Sequence, residues 1–191
     1  SVAVVGAGLV GVEAAEAFSK KGANVFLLDA LSRPLFCIAG EEFGALAQKE
    51  IAKHGVTFYG EERMIELEGS EFVSAVKTDK RVIKADIVLV SIGVRPNLAL
   101  AQDCGLKIGK AGIVVNSRMQ TSDPDIYAGG DCVESTDMVT GASVWQPMGS
   151  AANKQGRVIA DNIAGIDSHF NSVSGTAIVR VFDAVLGKTG L

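Results

Sequence analysis

Residues 2–11, VAVVGAGLVG, run a strand-like apolar segment straight into three glycines spaced Gly-x-Gly-x-x-Gly, with a helical pattern behind them. Four consecutive apolar residues suit a strand buried on both faces. Gly6 permits a tight turn, Gly8 lets the backbone come close to a pyrophosphate, and Gly11 allows close packing of helix on strand. Val10, Ala14, Ala17 and Phe18 recur at helical spacing, Gly22 ends the helix, and NVFLLD (24–29) follows as a second buried strand. A strand–helix–strand unit with such short connections implies a parallel sheet and an α/β, Rossmann-like fold.

The next segments extend this unit. A helix is predicted over about residues 40–54, and VTFYG supplies a third strand. MIELEG, FVSAVKT and RVIKA read as an antiparallel β-meander covering one face of the sheet. ADIVLVSIG (85–93) returns as another buried strand ending on Gly93. From about residue 106 the character changes: two strand-like runs, IVV and DIYA, belong to no unit the first part needs. A helix follows at about 150–164, then a polar linker, DSHFNSVSG, and a last strand in VRVFDAVL. Both ends of the sequence fall within such elements, so a piece of a longer protein is expected.

Composition narrows the partners. At 191 residues the chain holds one domain or one and a half, with 48% hydrophobic residues but one Trp and two Tyr, so the core is aliphatic. The net charge of −4 argues against nucleic acid or an anionic membrane as partner, and no apolar run approaches the roughly 20 residues of a membrane span. Cys37, Cys104 and Cys132 are odd in number and share no metal or CxxC spacing. That pattern fits a reducing, cytoplasmic setting.

The glycine fingerprint opens a helix whose N-terminal N–H groups favour an anion, with Leu9 and Val10 as the first candidate contacts beside the glycines. Asp29 ends the second strand 18 positions after Gly11, close to the offset of about 20 expected for an acid that accepts hydrogen bonds from a ribose. A carboxylate there repels a 2′-phosphate, which favours NADH over NADPH. Arg33 stays open between a 2′-phosphate ligand and a solvated loop charge. Glu13 reads from the residues alone as a first-turn acid at the helix dipole. His54 and His169 have no Cys, Ser or carboxylate at a telling spacing and are read as surface residues, and Cys132 as a small buried one.

Four motifs occur in one order: Gly-x-Gly-x-x-Gly-x-Glu at 6–13, IGVRPN at 92–97, TSDPDIYAGGDC at 121–132 and PMGSAANKQGRVIADNIAG at 147–165. The series resembles the FAD-dependent pyridine nucleotide–disulfide oxidoreductases, most closely the branch of NADH oxidases and of coenzyme A-disulfide and persulfide reductases. The resemblance implies an NAD(P)-binding domain at 1–108, the C-terminal half of an FAD-binding domain at 109–167, and a linker and the start of a dimerisation domain at 168–191. It implies FAD and NAD(H) as cofactors and hydride passing from NADH through FAD to a disulfide, a persulfide or dioxygen. Residue by residue, Gly6, Gly8 and Gly11 match the pyrophosphate cradle, Asp29 the ribose acid, Glu13 a glutamate near the nicotinamide, and Ile92 and Gly93 a backbone segment against the dinucleotide. Asp131, with Gly129 and Gly130 giving it room, matches the aspartate that binds the FAD ribityl chain. Met148, Gly149 and Ser150 match the segment at the pyrimidine edge of the flavin.

Two departures qualify the match. Leu9 stands where many members carry an aromatic lid. The family's first FAD fingerprint and redox cysteine have no counterpart here, so no catalytic residue is assigned and the chain alone is expected to be inactive, its parent a homodimer. Two other readings remain: a non-catalytic NAD-binding module, which leaves AGGDC and the 147–165 segment without a task, and a single-Rossmann dehydrogenase, which lacks a His–Asp or Tyr–Lys pair for proton transfer.

Overall fold

The computed structural model describes residues 1–36, 38–110 and 112–190, so Cys37 lies outside the described residues. They form two compact units: Ser1–Gly93 with Ala177–Lys188, and Val94–Thr176 with the short tail from Thr189.

In the first unit the elements run β1 (Val2–Val5), α1 (Leu9–Lys20), β2 (Val25–Leu28), α2 (Glu41–Lys53), β3 (Thr57–Tyr59), β4 (Met64–Gly69), β5 (Val73–Thr78), β6 (Val82–Lys84) and β7 (Ile87–Val90). Four of the strands make a parallel sheet in the order β3-β2-β1-β7, with Val2 paired to Val25 on one side and Ile87 on the other. Alternation along β1 and β2 decides the layers. Val2, Val4, Val25 and Leu27 pack with Val12 and Ala15 of α1 and Ala47 and Ile51 of α2, while Ala3, Val5 and Leu28 pack with Val76 and Ile83 of the antiparallel β4-β5-β6 meander. Burying each such Val or Leu stabilises the fold by about 1.5–3 kcal/mol.

Three expectations change here. The buried face of α1 is Gly11, Val12, Ala15 and Glu16, while Val10 is 64% exposed. Gly11 sets this face, because the absence of a side chain brings that side of the helix against the first turn. The strand at 85–93 is shorter, and it is not buried on both faces: β7 lies at the sheet edge, with Ile87 50% and Val90 47% exposed. The tail is a hairpin rather than one strand, described below.

The second unit holds α3 (Ala99–Asp103), a single 3-10 turn at Gly130–Cys132, the short pair β8 (Ser135–Thr136) and β9 (Ser143–Val144), and α4 (Gly149–Ile163). Its core gathers Ala101, Ile113, Met119, Val133 and Val158. The expected strands IVV and DIYA reduce to isolated bridges, Ile113 to Ile108 and Val133, and Tyr127 to Gln120. Their neighbours' amides close turns instead: Thr121 N–H donates to Ile126 O and Ile126 N–H to Asp123 O, so no ladder propagates.

The hairpin β10 (Ala177–Val181) and β11 (Ala184–Lys188) returns to the first unit. Val179, Val181, Phe182 and Leu186 join the core on the α1–α2 side. Phe182, at φ 52°, turns the chain with no glycine, and both turn amides are held by helix carboxylates. Phe182 N–H donates to Glu16 at 2.7 Å and Asp183 N–H to Glu50 at 3.3 Å, while the His54 ring stacks on Phe182 at 4.1 Å.

Candidate nucleotide site

Because β1, β2 and β7 run parallel, Gly6, Asp29 and Ser91 follow their C-terminal ends at the same edge of the sheet. There the connections diverge to opposite sides of β1, the place where open α/β sheets take ligands. The three glycines do different work. Gly6 has φ 102°, and a Cβ on it would overlap the Ser91 carbonyl. A Cβ on Gly11 would overlap the Gly6 carbonyl. A Cβ on Gly8 would meet nothing within 4 Å. The protein itself therefore requires two of the glycines; the third is bare toward open space, where a ligand could approach the backbone. Gly8 is the N-cap of α1 and no side chain among the described residues caps the helix, which leaves donors at its first turn for an anion.

Asp29 is fixed before any ligand arrives. Its Oδ2 accepts the Ala7 N–H at 2.6 Å and its Oδ1 the Leu31 N–H at 2.8 Å, and each oxygen keeps a further lone pair. Leu35 N–H donates back to the Ala7 carbonyl at 2.8 Å, so the loop after β2 grips the glycine turn through both polar groups of one residue. Arg33 is half-buried rather than solvated. Its stem lies against Gly44, its guanidinium covers the Phe36 ring at 4.2 Å, and one nitrogen reaches Ala39 O at 3.5 Å, while Nε is buried with no hydrogen-bond partner among the described residues. Ser91, which sequence reading missed, donates its hydroxyl to the Gly6 and Val5 carbonyls at 3.1 and 3.2 Å. Only a serine in the segment SIG hinted at it. Just beyond, Ile92 is 72% exposed and Gly93 has φ 99° with open space around its Cβ position. Leu9 is half-buried, and Val10 and Glu13 are exposed on the first turns of α1.

In the second unit the Gly129–Asp131 turn is pinned to its surroundings. The Gln155 side chain, on a residue 2% exposed, accepts the Gly130 N–H at 2.7 Å and donates to Ser135 Oγ at 3.2 Å. Trp145 Nε1 donates to the Asp131 carbonyl at 2.7 Å, and the half-buried Cys132 thiol to Gly129 O at 3.3 Å. Asp131 is exposed, and among the described residues no hydrogen bond reaches its carboxylate. Met148 is the N-cap of α4, uncapped by any side chain, with Gly149 and Ser150 exposed in the first turn.

Each histidine has one partner close in sequence and one far from it. His54 meets Glu50 and Asp183 beside the hairpin turn. His169 lies 3.0 Å from Ser117 Oγ and 3.1 Å from Asp167, which also pairs with Arg118. With His169 and Asp167 side chains 43% and 69% exposed, nothing there excludes water, and the Arg118 pairing offsets the charge that a Ser–His–Asp relay needs.

Residues 1–153 match the family described as pyridine nucleotide-disulphide oxidoreductase. The chain belongs to this family. Among curated pyridine nucleotide-disulphide oxidoreductases it is 40% identical to the NADH oxidase of Methanocaldococcus jannaschii, covering all of this chain and 42% of that protein. It is 38% identical to the NAD(P)H coenzyme A polysulfide/persulfide reductase of Pyrococcus horikoshii, again over the whole chain and 43% of that protein. The chain thus spans less than half the length of these relatives. The FAD-dependent pyridine nucleotide-disulphide oxidoreductase of Desulfovibrio vulgaris superimposes with a TM-score of 0.95 at 36% identity, covering all of this chain and 49% of that one. An engineered NADPH oxidase bound to NADPH, derived from the water-forming NADH oxidase of Lactobacillus brevis, matches all of this chain and 42% of its own at 26% identity and a TM-score of 0.93. Its substitutions include a glycine to alanine and, 18 positions later, an aspartate to alanine; the alanine after that aspartate and a proline seven beyond it become arginine.

Proposed function

We propose that this chain is the NADH-binding part of a longer FAD-dependent oxidoreductase, together with the returning half of its FAD domain. The observation that carries the reading is Gly8, bare toward open space between two sterically required glycines, beside the carboxylate of Asp29 held by Ala7. The glycines and the N–H groups at Leu9 and Val10 cradle the pyrophosphate, Asp29 accepts the ribose hydroxyls, and Ile92–Gly93 and Glu13 flank the nicotinamide half. In the second unit Asp131, with room from Gly130, receives the ribityl chain, and the uncapped start of α4 at Met148, Gly149 and Ser150 meets the pyrimidine edge. FAD, when bound, supplies two-electron transfer between NADH and a disulfide, persulfide or dioxygen. We set the boundary between the two parts where the compact units divide, after Gly93. The last residues lead toward a further domain through which the parent pairs as a homodimer.

NADH over NADPH is supported by the engineered L. brevis enzyme. Gly11, Asp29 and Ala30 here keep the same spacing as its three altered positions, with Phe36 seven beyond Asp29. Neither arginine of the NADPH-bound variant has a counterpart at 30 or 36. Titration of the protein with NADH and NADPH tests the assignment: tighter binding of NADPH would refute the role given to Asp29.

A further inference from the structure

We infer that Gln155 and Trp145 are positioning residues that clamp the Gly129–Cys132 turn so that the Asp131 carboxylate is presented to a polyhydroxyl chain. The inference rests on the flavin reading above and adds to it the device that makes Asp131 a rigid acceptor.

The clamp closes on two peptide planes. The plane between Gly129 and Gly130 is held at both ends, its N–H by Gln155 Oε1 at 2.7 Å and its C=O by the Cys132 thiol at 3.3 Å. The plane between Asp131 and Cys132 is held at its C=O by Trp145 Nε1 at 2.7 Å. Asp131 sits between these fixed planes, and its exposed carboxylate has no hydrogen-bond partner among the described residues. Gly130, at φ 82°, takes a conformation that side chains resist, so the external bonds hold a turn with a strong geometric demand.

Gln155 is suited to this position by its two-ended amide. Its carbonyl accepts Gly130 N–H while its amide donates to Ser135 Oγ, so a buried polar residue is satisfied at both ends. A leucine would orphan the Gly130 N–H. Trp145 contributes a lone donor, since indole has no acceptor, and can address only a carbonyl. A carboxylate already aimed at its ligand binds without the cost of ordering its own loop.

The test uses the full-length flavoprotein that contains this chain, with FAD dissociation constants measured on apoprotein reconstituted with FAD. Trp145→Phe removes the N–H and leaves a smaller aromatic ring; it should weaken FAD about fivefold, the equivalent of one ordinary hydrogen bond. Gln155→Leu should weaken it about tenfold or more, and the NADH dissociation constant should not move in either variant. The decisive arm repeats both substitutions in an Asp131→Asn background. If they act through Asp131, each effect shrinks to less than about twofold there. Undiminished effects in that background, or unchanged FAD affinity in the single variants, overturn the clamp. If Gln155→Leu does not fold, Trp145→Phe decides alone. A wild-type protein that binds no FAD instead overturns the flavin reading, and the clamp's purpose with it.

Discussion

Ala7 donates its backbone N–H to Asp29 Oδ2 at 2.6 Å, joining the middle of the glycine turn to the end of the neighbouring strand. The acid that would choose the nucleotide is also a structural acceptor, so its removal acts twice. Asp29→Ala should cost about 1–3 kcal/mol of stability by orphaning two amides, those of Ala7 and Leu31. It should also weaken NADH about tenfold while NADPH is weakened less. Urea denaturation and paired titrations measure the two effects. An unchanged ratio of the two affinities would remove Asp29 from nucleotide choice.

Gly6 and Gly8 should separate folding from binding. Gly6→Ala places a methyl against the Ser91 carbonyl at φ 102°, and a loss of about 3 kcal/mol or more is expected. Gly8, at φ −75°, accepts alanine without strain. Gly8→Ala should melt within a few degrees of the wild type yet bind NADH at least about tenfold more weakly, because the methyl would stand where the proposed cradle takes the pyrophosphate. Wild-type affinity in Gly8→Ala would mean that the open space is not the cradle.

The docking of the hairpin should depend on pH through Glu16. Burial pushes its carboxyl up, but the hydrogen bond from the Lys20 ammonium, the Phe182 N–H and the charges of Lys20 and Arg180 outweigh burial and leave it below the usual 4.5. A depressed folded value means that this contribution is complete above about 4.5, where the unfolded chain is also ionised, and is lost as pH falls through the folded value. The protection factor of the Phe182 amide, corrected for its intrinsic exchange rate at each pH, should therefore fall as the wild type is acidified below pH 4.5. In Glu16→Gln the protection factor should be lower at neutral pH and lose that acid dependence.

The polypeptide of residues 1–191 should bind NADH but not turn it over. Disulfide added with NADH should produce no sustained loss of NADH absorbance, and purified material should be colourless. Stoichiometric yellow FAD on purification would contradict the assignment of half an FAD site.

Local patterns made much of this fold readable. β1 and β2 announce themselves as apolar runs, α2 by its helical spacing, and the meander by short strands set off by turn residues. What stayed hidden depends on partners distant in sequence. Glu16 looks like a surface acid until Phe182, 166 residues away, supplies an amide to it. The Phe182–Asp183 turn carries none of the Gly, Asn or Pro signals of a hairpin, so one strand was expected where there are two. Ser91, Trp145 and Gln155 are ordinary residues by type, and only their acceptors and donors in the folded chain give them a task. The glycine turn was legible for the opposite reason: the tight turn at Gly6 and the close approach of helix to turn at Gly11 need residues without a Cβ at fixed spacing, and that requirement is written locally.

The hairpin has a consequence for the order of events on the ribosome. The sheet, both its helices and the meander are encoded by residue 90, yet Val179, Val181, Phe182 and Leu186 complete the hydrophobic layer that includes Val12, Ala15, Ala47 and Ile51. Until those residues leave the exit tunnel, the nascent first unit lacks four of its buried apolar side chains and Glu16 lacks the Phe182 amide. During synthesis of the intervening 83 residues of the second unit, Val94–Thr176, that part of the surface remains open to solvent, chaperones or other nascent chains.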